Sequence, residues 1–264
     1  MLTEEILRQY ADKYETKEFI NGDPSWFMHQ VNGKENQETI AFIASCLSYG
    51  NRKQFMPKIQ NILDYSEGNV YKWVKSGEFE IDIPDNRNKC YYRLYTYHTM
   101  NAFLHTLQNM LLQYGSIGEF VKNSISSLND GNPSKSDNKD NIMHGKCIDA
   151  VAAICQYFAA NGIEGIIPKN TTSSCKRICM FLRWMVRSGS PVDLGLWKDI
   201  IDLRTLIIPM DTHVMQQAVK LGLLKNKTAS MSAARQLSAR MAEIFPEDPM
   251  KADFALFGYG INNK

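Results

Sequence analysis

Apolar residues recur at three- and four-residue steps along most of the chain, the period of a helix that buries one face. The opening segment, Leu2 to Tyr14, is amphipathic in this way, and a long apolar stretch runs from Glu38 to Tyr49 with Gly50 and Asn51 as its stop signal. Further helices are predicted over Lys53 to Tyr65 and Val70 to Lys75. A polar, Pro-containing connection follows through Ile83 to Asn88, the one place where a strand pair is conceivable. From His98 to Tyr114, the positions Phe103, Leu104, Leu107, Leu111 and Leu112 make one helical face, and another helix is expected over Ile117 to Leu128.

Asn129 to Asn141 carries no apolar side chain able to bury it and is predicted to be an exposed, mobile loop. Helix resumes over Lys146 to Ala160. A stretch ending in Pro168 then leads through Asn170, Thr171, Thr172, Ser173 and Ser174, all good helix N-cap candidates, into the next helix. Val192 to Trp197 is read as one helical turn, Thr212 to Leu223 as a short helix, Ser230 to Ile244 as a longer one, and Lys251 to Phe257 as the last element. The pattern therefore predicts an all-α fold without internal repeats.

Composition narrows the class. A chain of 264 residues with 44% hydrophobic content can bury a substantial core, so global disorder is excluded. No apolar run approaches the roughly 20 residues that span a bilayer, and Met1 to Tyr10 lacks the basic start and apolar centre of a secretory signal. A cytoplasmic protein with no membrane partner is expected. The six cysteines form no CxxC pair and none follows Cys179, which argues for reduced, mostly buried thiols and against a C-terminal iron–sulfur cluster. His29, His98, His105 and His144 are dispersed without ligand spacing, so neither a metal nor another cofactor is expected. A formal net charge of +2 does not announce a nucleic-acid binder, and any such surface must come from local concentration of Lys and Arg.

One segment offers that concentration. In KRICMFLRWMVR, residues 176–187, Ile178, Phe181, Leu182, Met185 and Val186 form an apolar stripe, and Lys176, Arg183 and Arg187 stand together on the other side with no acid among them. Such a stripe is either a solvated helix face or a surface that meets phosphates. Downstream, IIPMDTHV sets Asp211 at the start of a helix, where it is a natural N-cap. A carboxylate that reaches a lysine can also govern its protonation and orient it.

IIPMDTHV resembles the catalytic-aspartate segment of the helix-hairpin-helix DNA glycosylases, and KRICMFLRWMV resembles the helix after their hairpin, whose first turn bears a nucleophilic lysine. FLRWMVR, VDLGLW, IIPMDTHV, DFALFGYGI and ETIAFIASCLSYGNR together are similar to a bacterial family related to the archaeal branch of 8-oxoguanine glycosylases. The resemblance covers most of the chain. It implies a two-lobed helical fold with a cleft between the lobes: lobe A over about 36–187, with a hairpin-like segment at 166–176, and lobe B over about 1–35 plus 188–264.

The implied activity is that of a DNA glycosylase with AP lyase activity acting on an oxidised purine such as 8-oxoguanine, a monomer whose partner is double-stranded DNA with a damaged base. Lys176 would be the nucleophile and Asp211 its assistant. Asn51 and Arg52 resemble residues that fill the gap left by a flipped base, although Gly50 and Asn51 also read as a helix C-cap. The hairpin, IIPKNTTSSCK, has no glycine, so phosphate contact falls to the Ser173 and Ser174 hydroxyls and the helix N-terminus, with Arg177, Arg183 and Arg187 beyond. Trp184, Trp197, Phe254 and His213 are the candidates for a base pocket, the rings by stacking and the histidine by hydrogen bonding, and each also reads as ordinary core or structure. Lysine ordinarily keeps its proton to about pH 10.4, so the chemistry needs burial, the helix N-terminus or Arg177 to favour the neutral amine. The alternative is a non-catalytic nucleic-acid-binding helical module that retains the scaffold; a third reading is a protein-interaction domain with a solvated basic stripe.

Overall fold

The structure, a computed structural model, describes residues 2–130, 144–225 and 228–263, and these are mostly helical, so the fold is all-α. The loop expected over Asn129 to Asn141 lies almost wholly outside the described residues. The chain divides into two units. The first holds Met1–Asp23, Lys146–Val151 and Asn170–Lys264, and the second holds Pro24–Gly145 and Ala152–Lys169. The helix that begins at Lys176 falls in the first unit, where the acids that neutralise its arginines also lie.

The second unit is built around helix α2 (Lys34–Leu47), in which every residue from Glu38 to Leu47 is buried. A helix apolar all round needs neighbours on every side, and α2 finds them in the 3-10 turn Pro24–His29, α3 (Arg52–Tyr65) and α4 (Val70–Ser76). After the short helix α5 (Phe79–Asp82) comes an antiparallel pair, β1 (Cys90–Tyr92) and β2 (Tyr95–Thr96), just beyond the connection where the sequence allowed one. Helix α6 (Tyr97–Tyr114) packs on α4 and on α7 (Ile117–Asp130). Phe42, Phe103 and Phe158 lie with ring centroids 5.6–6.1 Å apart. Phe158 comes from α8 (Cys147–Ala160), whose first residues count with the other unit.

The first unit opens with α1 (Leu2–Tyr14), which packs along the last helix, α12 (Lys251–Asn262). Between them in sequence stand α9 (Lys176–Val186), α10 (Thr212–Lys220) and α11 (Met231–Ile244). The last helix continues past Phe257 through two glycines, positions that intrinsic propensity disfavours. A Cβ on Gly258 would stand 2.2 Å from the Tyr14 ring, and one on Gly260 would stand 2.2 Å from His213 Nε2. Close packing against α1 and α10 requires bare backbone there. Val192 to Trp197 is not a helical turn. Its backbone is instead held by N–H groups of Leu194 and Trp197 donating to the carbonyls of Trp184 and Met185 at the end of α9.

One buried carboxylate organises the second unit. Glu38, only 5% exposed, accepts the backbone N–H groups of Ile117 at 2.8 Å and Gly118 at 3.0 Å. These are otherwise unsatisfied donors at the start of α7, where the helix dipole also favours an anion. Glu38→Ala is expected to cost about 2–4 kcal/mol, two hydrogen bonds to a charged group at about 1.5–3 kcal/mol each less relaxation. Glu38→Gln should cost less, since an amide keeps one acceptor. Urea unfolding of the three proteins checks the order.

Candidate functional site

Lys176 opens α9 and Asp211 caps α10, so each side chain stands at the positive end of a helix. Asp211 has extended backbone and accepts the Val214 N–H at 2.9 Å, as an N-cap does. Its other oxygen lies 3.5 Å from Lys176 Nζ, and the two side chains are 32% and 41% exposed. Thirty-five positions apart in sequence, the amine and the carboxylate meet at a place that solvent reaches.

The approach to this pair is tied down by Ser174. That residue is buried, and its hydroxyl donates to the Met210 carbonyl at 3.0 Å, joining the residue two before Lys176 to the residue before Asp211. Ser174 is therefore occupied inside the fold and not offered to a phosphate. Cys175 between them takes a left-handed backbone conformation, φ +46°, and ends the connection as the N-cap residue without a side-chain cap bond. None of the hydroxyl residues before it caps α9. Ser173 is exposed and bridges to Ser230 as an isolated antiparallel pair, and Arg177 is half-buried in the first turn of α9.

Arg183 and Arg187 are not a phosphate face. They are 3% and 2% exposed and sit in a network of acids. Asp193 accepts from both guanidinium groups, from Arg183 Nε at 3.2 Å and from Arg187 Nη1, and its side chain is fully buried. Arg183 also pairs with Asp253, and Arg187 pairs with Glu15 at 2.6 Å and Asp248 at 2.5 Å. Burial opposes the charge on both arginines, and the surrounding carboxylates outweigh it, so both are held above the ordinary arginine range.

The aromatic candidates are core as well. Trp184 and Phe254 are 0% exposed and Trp197 is 2% exposed. Trp197 meets Phe181 edge-on at 5.1 Å, and the Phe254 ring is covered by Phe19 and by both guanidinium groups, at 4.7 and 5.3 Å. No face is left for an extruded base on these rings. His213 is half-buried with its ring against Gly260, so it serves helix packing.

In the second unit, Asn51 and Arg52 are exposed at the start of α3, and Asn51 caps that helix by accepting the Lys53 N–H at 2.9 Å, so it begins a helix and does not end one. The preceding loop is held by the β1–β2 hairpin. The Tyr92 hydroxyl donates to the Tyr49 carbonyl, and the Arg93 guanidinium lies 4.7 Å from the Tyr49 ring.

Sequence reasoning missed the acids Glu15, Asp193, Asp248 and Asp253. The signal was present for two of them: VDLGLW and DFALFGYGI each hold one aspartate in an otherwise apolar run, and a lone acid there must find a cation. Burial raises the Asp253 carboxyl above the ordinary aspartate range; Arg183 pulls it back and Asp211 pushes it up further. Among the described residues no group of three or more His, Cys, Asp or Glu side chains is arranged to hold a metal ion. All six cysteines are free thiols, five of them buried and Cys90 exposed.

These features define a mostly helical protein with a lysine–aspartate pair at two helix starts and a buried ion network in the same unit. Among the described residues no helix is long and apolar enough to cross a membrane. The chain belongs to the family described as Protein of unknown function (DUF2400), whose model matches residues 23–262. No curated protein and no solved structure matches the chain.

Two outcomes are expected. Arg187→Ala removes the cation from Glu15 and Asp248 and one of the two from Asp193, and should cost about 3–5 kcal/mol in urea unfolding, the usual penalty for breaking a buried pair. Asp253 works in the opposite sense to a salt-bridged surface acid. Its folded-state affinity for a proton is raised, so ionising it costs stability. That cost is absent below the ordinary aspartate range and complete above the raised one. The stability of the native protein relative to Asp253→Asn should therefore fall as the pH rises above the ordinary aspartate range, and a pH-independent difference would remove Asp253 from the linkage.

Proposed function

We propose that this protein is a DNA glycosylase with AP lyase activity, which removes an oxidised purine such as 8-oxoguanine from double-stranded DNA through a Schiff base on Lys176. The observation that carries the reading is the 3.5 Å approach of Lys176 Nζ to the Asp211 carboxylate at a solvent-reachable place. The motif resemblance of both segments assigns them these two roles. The same resemblance supports a two-lobed helix-hairpin-helix architecture and a cytoplasmic monomer.

In this mechanism the damaged nucleotide leaves the stack, at a cost of a few kcal/mol. Asp211 accepts a proton from the Lys176 ammonium, and the lone pair of the resulting amine attacks the sugar C1′. The bond from C1′ to the base breaks and the base leaves with the electron pair, taking up a proton. Opening of the sugar ring gives the Schiff base, with the former ring oxygen protonated to a hydroxyl. Loss of a C2′ proton then expels the 3′ phosphate by β-elimination, and water releases Lys176. The departing base takes up the proton that Asp211 accepted, and the restored carboxylate then stabilises the positive charge of the Schiff base.

Borohydride trapping on duplexes containing 8-oxoguanine or an abasic site tests the assignment. The native protein is expected to give a covalent adduct that Lys176→Ala and Lys176→Gln both lose. Asp211→Asn retains a good N-cap acceptor and so separates capping from charge; it should fold normally and slow the reaction by about 100-fold or more. An adduct that persists in both lysine variants would take Lys176 out of the mechanism.

A further inference from the structure

With Arg183 and Arg187 committed inside the fold, a protein that grips DNA must use other cations. The described residues of the first unit offer a further cationic convergence. A pocket of about 260 Å3 is lined by Lys146, Arg204 and Arg235, with Ile148, Leu206, Ile207 and Ala242 among its apolar residues. The three cations come from three elements: the residue before α8, the 3-10 turn Leu203–Thr205, and the first half of α11. No acid lines the pocket. Among the described residues, no carboxylate pairs with Lys146 or Arg235, and both are exposed.

The walls are pinned together. The Cys147 N–H donates to the Thr205 hydroxyl at 2.9 Å, which fixes Lys146 beside Arg204, and the Ile208 N–H donates to the Ser238 hydroxyl at 2.9 Å, which fixes α11 against the same segment. Arg204 is itself oriented. Its Nε and Nη2 donate to the Asp202 carboxylate at 3.2 and 3.1 Å, so Asp202 takes one edge of the guanidinium and leaves the Nη1 side for another acceptor. Arg204, so oriented, loses little freedom when an anion arrives.

The shape favours an extended polyanion over a small ion. The charges stand at the rim, where the Arg204 side chain is 69% exposed, and Leu206 and Ile207 beneath are buried and apolar. A lone phosphate gains nothing from such a floor. A sugar–phosphate strand alternates an apolar sugar with a charged diester and matches both parts. We infer that Lys146, Arg204 and Arg235 form a binding site for the sugar–phosphate backbone of DNA. This inference rests on the reading of the protein as one that acts on DNA, and its test is arranged so that the two can fail separately.

The experiment measures binding of an undamaged duplex of about two helical turns by fluorescence anisotropy from about 50 to about 200 mM salt. Native protein is compared with Lys146→Gln/Arg235→Gln and with a control, Lys13→Gln/Lys17→Gln, drawn from exposed cations elsewhere in the unit. Removing two phosphate contacts should lower the slope of log affinity against log salt by about 1.8 and weaken binding on the order of 50-fold near 0.1 M salt. The control should keep the native slope. Equal slopes in all three proteins would overturn the pocket and leave the glycosylase reading standing, because the borohydride adduct reports on Lys176 independently. Thermal stabilisation by inorganic phosphate that the pocket variant loses, without any change in duplex binding, would make this a small-anion site and overturn the inference. Native protein that neither binds duplex nor forms the adduct would end both.

Discussion

Two guanidinium groups lie inside the first unit, and its helices are arranged to neutralise them. A buried cation without partners is among the most costly features a fold can carry, so Arg183 and Arg187 oblige four carboxylates to arrive from elsewhere. Glu15 follows α1, Asp193 follows α9, Asp248 precedes α12 and Asp253 lies in its first turn. The requirement therefore fixes where α1 and α12 stand relative to α9. Since α9 begins with Lys176, and α10 packs on α12, the same charges set the frame in which Lys176 and Asp211 meet.

The helices were legible because their apolar periodicity is strong. Leu2–Tyr14 and the helices beginning at Lys176, Thr212 and Lys251 start where the pattern placed them. The failures have specific causes. The short helix at Phe79 and the 3-10 turns at Lys17 and Pro24 are too brief to show a period. The extension of α12 through Gly258 and Gly260 contradicts propensity and is decided by tertiary packing. The Arg183 and Arg187 stripe misled because a charged face opposite an apolar one ordinarily meets water. Three of its four partners, Glu15, Asp248 and Asp253, are distant in sequence, and periodicity carries no information about them.

The site was legible to a different degree. Asp211 was readable as a cap from its Thr-His-Val context, and that role is present, with the Lys176 contact made by the oxygen that capping leaves free. Ser174 was read as a phosphate ligand from its residue type, but its hydroxyl is used by the Met210 carbonyl. Trp184, Trp197 and Phe254 were named for stacking, and burial removes them from that role. Residue type told which chemistry a side chain can do. Only the contacts told whether it was already occupied.

Gly258 and Gly260 have a bearing on how the chain comes together. Each lowers the intrinsic stability of α12 by about 1 kcal/mol relative to alanine, so this helix depends on Tyr14 and His213 closing against it. Tyr14 is in α1, nearly 250 positions earlier, and the second unit intervenes. During synthesis α1 emerges before the second unit and α12 after it, so the second unit can consolidate while the first still lacks a wall. Closure of that unit brings together contacts far apart in sequence, the kind that form slowly, and until it happens Arg183 and Arg187 lack the carboxylates of Glu15, Asp248 and Asp253.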